Sequence, residues 1–173
     1  YGNKLILNNI SFNINKNEII SFVALNGQGK NTTLKILSGI TKQDSGEIVF
    51  AKKDIKYTFV PELPYFIEEF SGIQTVEYIL SLEGKKVEKS EIIKFFKKID
   101  LEISNKPIKT FSKGMRQKAG IAIAIVKDAE FILLDEPFSG LDPKAAFDFQ
   151  NLLLSLKKKG RAIFMSTHDI FRA

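Results

Sequence analysis

Three short apolar runs divide the 173-residue chain and predict the strands of its core. They cover residues 19–25, 131–134 and 162–165, and polar or turn-forming residues follow each run. Runs this short and this continuously apolar are typical of strands buried on both faces of a parallel sheet. Helical patterns at residues 33–40 and 145–158 separate them, so we predict an α/β fold with right-handed crossovers.

Helical periodicity also fills the middle of the chain. It covers residues 74–82 and 88–99, and it resumes after Ser112 as far as Ile125. The second of these helices carries apolar side chains at spacings of three and four, a pattern typical of a core-facing stripe: Ile92, Phe95, Phe96 and Ile99. We therefore expect one α/β domain over residues 1–173, with a helical subdomain inserted at about residues 66–127.

The N-terminal region predicts a smaller β part. Short strands are expected around residues 4–7, 11–14 and 47–50. A turn at residues 15–17 separates the second of these strands from the first apolar run, and Asn17 tolerates the left-handed conformation that such a turn requires. We expect this region to form a small antiparallel addition to the mainly parallel sheet.

The composition of the chain limits which metal sites and binding surfaces it can form. The chain has no cysteine and one histidine, which excludes disulfides, thiolate metal sites and a histidine zinc centre. The net charge of +6 is compatible with a nucleic-acid or acidic-membrane surface, but solvated lysines on helix ends and turns are the interpretation we favour. The sequence starts at Tyr1 without a methionine, and we expect it to be an excerpt of a longer protein.

The first apolar run leads into a loop that resembles a phosphate-binding loop. Such loops have the pattern Gly, four residues, Gly-Lys, then Ser or Thr, followed by a helix. Here Gly29 and Lys30 match the pattern, whereas Ala24 replaces the first glycine and Asn31 replaces the hydroxyl residue. An ordinary strand-turn-helix junction with a surface lysine explains this loop about equally well when it is taken alone.

The second apolar run ends in two carboxylates, Asp135 and Glu136. In an open parallel sheet the ligand site lies at the carboxyl ends of the strands. Asp135 is therefore a candidate to hold magnesium, directly or through water, and Glu136 is a candidate general base that orients an attacking water. The alternative is a strand that simply leaves the core, with a helix-capping aspartate.

Six segments together resemble the ABC-type ATPases, which are P-loop NTPases with a mainly parallel core sheet. Leu133-Leu134-Asp135-Glu136-Pro137 resembles their Walker B segment, and Ser139-Gly140-Leu141-Asp142-Pro143 resembles the D-loop. Phe111-Ser112-Lys113-Gly114-Met115-Arg116-Gln117 resembles the signature motif, and Ser166-Thr167-His168-Asp169 resembles the switch-histidine segment. Two further segments take the places of the adenine-stacking aromatic and of the Q-loop: Tyr1-Gly2 and Val60-Pro61-Glu62.

The resemblance implies ATP and Mg²⁺ as cofactors and assigns residues to them. Glu136 and His168 are the implied catalytic residues. The phosphate loop and its neighbours are implied to bind the nucleotide through Asn26, Gly27, Gln28, Gly29, Lys30, Asn31 and Thr32. The implied magnesium ligands are Asn31, Glu62 and Asp135. Tyr1 is implied to stack on adenine, although a disordered terminus is the alternative there.

The resemblance also implies partners. A second nucleotide-binding subunit is expected to form a head-to-tail dimer around two nucleotides, and the implied contacts are Ser112, Gly114, Gln117 and Asp142. Transmembrane permease subunits are the other implied partner, which would place the protein at the cytoplasmic face of the membrane. Glu62 and the Lys113 to Arg116 stretch resemble the drug, antibiotic or lipid exporter branch. No nucleic-acid partner is expected.

Two other functions remain open at this point. A soluble ABC ATPase acting on ribosomes or nucleic acid would use the positive charge directly. Such proteins usually carry paired ATPase domains or a coiled-coil arm, and only 112 − 62 = 50 positions separate Glu62 from Ser112. A nucleotide-binding module with impaired turnover is motivated by Asn31, whose amide would replace a hydroxyl as magnesium ligand.

Overall fold

The computed structural model describes residues 5–25, 27–98 and 106–169. The strands are β1 (Ile19–Val23), β2 (Tyr57–Val60), β3 (Phe131–Asp135) and β4 (Ala162–Thr167). The helices are α1 (Lys30–Leu37), α2 (Gly72–Leu82), α3 (Lys89–Lys98), α4 (Lys113–Val126) and α5 (Pro143–Lys158), with a 3₁₀ turn at Ile108–Thr110. No helix within the described ranges is long and apolar enough to cross a membrane.

The chain forms two compact units. Within the described residues, the first unit contains residues 5–62, 129–139 and 153–169. It holds a four-stranded sheet in the order β1-β4-β3-β2, and every neighbouring pair is parallel. A parallel sheet needs a crossover between neighbouring strands, and the sequence provides one because helical segments separate the apolar runs.

The core of the first unit lies where α1 covers the sheet. Leu34 of α1 is fully buried and belongs to a cluster with side chains of β3 and β4: Phe131, Leu133, Ala162 and Phe164. These strand residues alternate along β3 and β4 and therefore share one face of the sheet. The residues of the opposite face are buried as well, which explains why the sequence is continuously apolar: Ile132, Leu134, Ile163 and Met165. The packing holds α1, and the loop before it, against the middle of the sheet.

The second unit contains residues 63–98, 106–128 and 140–152 of the described chain. Its core is formed by apolar faces of α2, α3 and α4: Ile73, Val76, Leu80, Ile92, Phe96, Ala119, Ala122 and Ile123. A capping box at Ser71 and Gln74 starts α2. The helical stripe predicted for α3 is confirmed at Ile92 and Phe96, whereas the side chain of Phe95 and all of Ile99 lie outside the described residues.

The strands predicted for the N-terminal region are wrong. Residues 5–7, 11–14 and 47–50 have no regular secondary structure, and the first prediction also included Lys4, outside the described range. Short strands need a partner and a packed face to be stable, whereas Val49 is largely exposed and Phe12 stacks individually on Phe164, with ring centroids 5.3 Å apart. The turn prediction is confirmed, since Asn17 has a φ of 61°.

One strand was not predicted from the sequence. β2 has four residues, Tyr-Thr-Phe-Val, and it pairs only with β3 at the edge of the sheet. Its residues are β-branched or aromatic, as strands prefer, but the run is too short to give a clear period. β2 matters for the site because it ends at Val60, two residues before Glu62.

Candidate functional site

The site of the first unit lies where three parallel strands end. The register pairs Val23 of β1 with Thr167 of β4, and Asp135 of β3 with Ser166 of β4. The segments that follow these strands therefore leave the sheet at one edge: the loop before α1, Glu136, and His168. This is the edge at which an open parallel sheet places its ligand.

The loop after β1 has the backbone shape of a phosphate cradle. Gly27 and Gly29 have φ angles of 80° and 89°, a region that side-chain-bearing residues rarely adopt. Gly29 is the N-cap of α1, and its carbonyl accepts from the backbone N–H of Thr33 at 2.8 Å and from its hydroxyl at 3.0 Å. The first N–H groups of α1 have no intrahelical acceptor, and they form an anion-binding end.

Lys30 is the first residue of α1, and only 7% of it is exposed. Its Nζ donates to the carbonyl oxygen of Ala24 at 2.6 Å and lies 2.9 Å from Oε1 of Glu136. A buried ammonium needs such partners because desolvation disfavours an isolated charge. Ala24 does not have a positive φ, so the alanine that replaces a glycine here carries no left-handed backbone strain.

Glu136 is the centre of the contacts. It is 8% exposed, and its Oε2 accepts from the backbone N–H of His168 at 3.3 Å and lies 2.8 Å from His168 Nδ1. The opposite oxygen, Oε1, faces Lys30. The backbone of Glu136 has a φ of 44°, which is uncommon for a residue other than glycine.

Asp135, beside it, is half-buried and held by Ser166. The Ser166 hydroxyl donates to Oδ1 of Asp135 at 2.6 Å. Burial raises the pKa of Asp135 above its ordinary value of 3.8; the bond from Ser166 opposes this effect, the charges of Glu136 and Glu62 add to it, and the charge of Lys30 opposes it. The charges of two other carboxylates, Glu136 and Glu62, and of the Lys30 ammonium therefore all act on Asp135.

This carboxylate group fits a magnesium ion that is shared with phosphate. No group of three or more His, Cys, Asp or Glu side chains that could hold a metal ion occurs in the described part of the chain. Mg²⁺ typically takes one or two carboxylates and completes its coordination with substrate phosphates and water. Asp135, on which the charges of Glu136 and Glu62 act and which shares its unit with the N-terminus of α1, matches that donor chemistry.

A second group of predicted residues lies in the second unit. The Ser112 hydroxyl accepts from the N–H of Met115 at 3.2 Å and caps α4, and Asp142 Oδ1 accepts from the N–H of Ala145 at 2.9 Å near the start of α5. A hollow of about 250 Å³ opens beside Ser112, Gly114 and Asp142. A Cβ on Gly114 would contact Leu141 at 3.4 Å, so glycine keeps these two segments close.

The remaining predicted residues divide by exposure. Asn31, in the first turn of α1, is exposed, and Thr32 is half-buried. Tyr1 and Asn26 lie outside the described residues. Gln117 departs from the prediction: it is 1% exposed, so it has almost no surface to offer a nucleotide, and its position one turn into α4 gives it a place in the interior instead.

Sequence reasoning missed two contributors to the site. Ser166 bonds both to Asp135 and, through its oxygen, to the backbone N–H of Glu136 at 3.1 Å. The Ala24 carbonyl is the second partner of Lys30. The available signal for Ser166 was its position directly after an apolar run, which is also the position of Asp135 after the preceding run. A backbone carbonyl such as that of Ala24 leaves no signal in the sequence.

The sequence matches known proteins along nearly its whole length. A family model described as ABC transporter matches residues 7–139. The lantibiotic transport ATP-binding protein SrtF of Streptococcus pyogenes is 34% identical over 175 residues, covering 97% of this chain and 76% of the relative. The zinc import ATP-binding protein ZnuC of Rickettsia conorii is 34% identical over 179 residues, covering 99% and 73%.

Solved structures agree with the sequence matches. The dimeric structure of MJ0796, a bacterial ABC transporter cassette, superposes with a TM-score of 0.84 at 26% identity, covering 100% of this chain and 85% of that one. A post-hydrolysis state of the same cassette, bound to ADP and phosphate, matches equally well. The chain belongs to the ABC transporter family, as an ATP-binding subunit of the ATPase type.

The raised pKa of Asp135 predicts a pH-dependent gain in stability for Asp135→Asn. Between 3.8 and the raised pKa the folded state binds more protons than the unfolded state, so ionisation of Asp135 costs stability as the pH rises. The neutral amide avoids this cost and retains an oxygen for the Ser166 hydroxyl. We expect urea unfolding without nucleotide or metal to show the variant more stable than the parent at pH 7.

The gain should shrink as the pH falls through the raised pKa. Asp44→Asn, which removes an exposed carboxylate from a turn of the same unit, is the control for the change in net charge. An Asp135→Asn protein that is no more stable than the parent at pH 7, or whose gain does not change with pH, would contradict the assignment.

Proposed function

We propose that this ABC transporter subunit binds ATP with magnesium at the carboxyl edge of its parallel sheet and hydrolyses it there to power transport. The observation that carries the proposal is the contact between Lys30 and Glu136, 2.9 Å apart and both buried. A cation suited to phosphate and a carboxylate suited to a general base occupy one site, next to a second carboxylate, Asp135.

Substrate binding would exchange the partners of Lys30. In this structure its ammonium is satisfied by Glu136 and the Ala24 carbonyl. The outer phosphates of ATP would take the place of Glu136, while the N–H groups at the start of α1 bind the phosphate oxygens. Contacts from Asn26, Gln28 and Thr32, and stacking of adenine on Tyr1, complete the proposed nucleotide site.

The same exchange would free the base. Once Lys30 has moved to phosphate, the Glu136 carboxylate keeps its contact with His168, and its Oε1 is available to accept a proton from water. The water oxygen then bonds to the γ-phosphorus, the bond to the β-phosphate oxygen breaks, and ADP leaves. Lys30 stabilises the charge that develops on the phosphate oxygens, and His168 holds the γ-phosphate in place.

Asp135 is the main proposed magnesium ligand, and Asn31 and Glu62 complete the protein's contribution. When bound, the ion would help to neutralise the negative charge that develops on the phosphate oxygens during hydrolysis. The hydrogen bond from Ser166 and the burial of Asp135 fix one carboxylate toward this task. Asn31 offers an amide oxygen, which hard cations accept, in place of a hydroxyl.

A second nucleotide-binding subunit would complete each site. Ser112 and Gly114 lie at the start of a 14-residue helix, α4, and border the hollow together with Asp142. A helix N-terminus favours an anion, so the γ-phosphate of a nucleotide held by the partner fits this face. The superposition on a dimeric cassette supports a second subunit. We do not assign Gln117 to it, because that residue is buried.

The membrane subunits would dock on the segment after Glu62. Three apolar side chains there are exposed, Leu63 at 60%, Tyr65 at 94% and Ile67 at 39%, and neighbouring exposed apolar residues are typical of a protein interface. Arg116 of α4 forms two hydrogen bonds of 2.8 and 2.7 Å with Glu68, which would link the docking segment to the signature helix.

The proposed location and direction follow from this docking. The protein would lie at the cytoplasmic face of the membrane, held there by its membrane subunits. Glu62 at the Q-loop and the Lys-Gly-Met-Arg run in the signature motif favour export over import. The relatives include a protein named for lantibiotic transport and one named for zinc import, so they support transport in general.

A second candidate is a nucleotide-binding module with impaired turnover. The exposed Asn31 favours it, because the residue carries an amide at the place expected to supply a hydroxyl ligand. Glu136 and His168, which are in contact with each other, favour turnover. Action on ribosomes or nucleic acid receives no support from a particular contact in the described residues.

Magnesium-dependent ATP turnover tests the proposed function. We expect the protein to hydrolyse ATP and Glu136→Gln to lose at least about 100-fold in kcat, because general-base catalysis typically contributes that much or more. Asn31→Ser should lower the magnesium concentration needed for half-maximal rate. Clear ATP binding without turnover in either the parent or the Asn31→Ser protein would instead support the second candidate.

Docking is tested separately with Tyr65→Ser. We expect the variant to lose co-purification with the membrane subunits from detergent extracts, while its own ATP turnover stays within about twofold of the parent. Phe147→Ser is the matched control, since Phe147 is 62% exposed but lies on α5. Undiminished co-purification of the Tyr65→Ser protein would contradict the proposed docking segment.

A further inference from the structure

Ser166 is the least exposed polar residue of the site. It has 0% exposure and lies near the end of β4, between Phe22 of β1 and Asp135 of β3 in the sheet register. Side chains buried at the centre of a parallel sheet are normally apolar, as the four residues before Ser166 in this strand are. A buried hydroxyl here must be satisfied by hydrogen bonds, and its partners indicate what it does.

The hydroxyl joins two neighbouring residues of the other strand. It donates its single proton to Oδ1 of Asp135 at 2.6 Å, and its oxygen accepts from the backbone N–H of Glu136 at 3.1 Å. One donor and one acceptor function of the same group are thus both used. A bond to an ionised carboxylate is the stronger kind of hydrogen bond, so the geometry of Asp135 is tightly constrained.

The contact compensates for the way in which β3 ends. The strand finishes at Asp135, and Glu136 turns away with a φ of 44°. A residue in that conformation does not continue a parallel ladder, yet its buried N–H still needs an acceptor. The side chain of Ser166 provides one. It therefore supports the backbone shape that directs the Glu136 carboxylate toward Lys30 and His168.

We propose that Ser166 is a positioning residue that fixes the metal-binding carboxylate of Asp135 and the backbone of the hydrolytic base Glu136 through one hydroxyl. This inference rests on the proposed function, since it assumes those roles for the two carboxylates. Ser166 itself contacts neither phosphate nor water in the reaction. Hydrogen-bond partners of metal ligands typically change metal affinity or activity about 10- to 100-fold when they are removed.

Four variants isolate the hydroxyl: Ser166→Ala, Ser166→Thr, Ser166→Val and Ser166→Cys. Thr and Val have nearly the same shape and differ in the hydroxyl, so their comparison removes the effect of the added methyl group. Ala is smaller than Ser and cannot clash, which keeps the test valid if the larger side chains disturb the sheet. Cys has the same branching as Ser, with a somewhat larger atom that is only a weak donor.

The measurement is Mn²⁺ affinity by electron paramagnetic resonance, made with saturating ATP in a Glu136→Gln background, where ATP persists. We expect Ala and Val to weaken Mn²⁺ binding about 10- to 100-fold, and Thr to stay within about threefold of Ser. ATP affinity in EDTA should change less than about twofold in all of them, because the hydrogen bonds of the Ser166 hydroxyl go to Asp135 and to the backbone of Glu136. In the protein that retains Glu136, Ser166→Ala and Ser166→Val should lower kcat and leave the KM for ATP unchanged.

Four results would overturn the inference. Ala with parent-like Mn²⁺ affinity would show that the hydroxyl is dispensable. Thr and Val with equally weakened binding would show that shape matters and the hydroxyl does not. A loss of EDTA-measured ATP affinity as large as the loss of Mn²⁺ affinity would indicate a general disturbance of the site. If Glu136→Gln with Ser166 unchanged does not bind Mn²⁺ in the presence of ATP, the proposed function is overturned as well. This control therefore separates a failure of the proposed function from a failure of the inference about Ser166.

Discussion

The buried ion pair between Lys30 and Glu136 is the interaction on which this site depends. It joins Lys30, at the start of α1, to Glu136, directly after β3, with 2.9 Å between Nζ and Oε1. Removing one member of such a pair leaves a buried charge uncompensated, which is usually strongly destabilising. The pair can therefore exist only where the parallel register brings these strand ends together, and a nucleotide must supply an equivalent anion when it displaces Glu136.

The rest of the site follows from the carboxylates that lie at this edge. Burial raises the pKa of Asp135, and the charges of Glu136 and Glu62 add to that effect. A divalent cation would relieve this repulsion, and it would arrive with phosphates that attract Lys30. Bound nucleotide and bound metal would therefore each strengthen the binding of the other.

Much of this arrangement was predictable because the signals are local. An apolar run followed by two carboxylates places Asp135 and Glu136 at a strand end, and the glycines before Lys30 fix the loop. The contribution of Ser166 was not predictable, because it depends on the register between β3 and β4, which no local pattern encodes. The N-terminal strands failed for a related reason: a short apolar segment can be read locally, but a strand also needs a partner strand to pair with.

The most direct test of the account is the ATP affinity of Glu136→Gln without metal, where no hydrolysis occurs. If Lys30 must leave Glu136 to bind phosphate, the neutral amide should release it and tighten ATP binding on the order of tenfold, or about 1.4 kcal/mol. Glu130→Gln, which removes a carboxylate paired with the exposed Lys52, controls for net charge. Unchanged or weaker ATP binding by Glu136→Gln would contradict the exchange of partners proposed for Lys30.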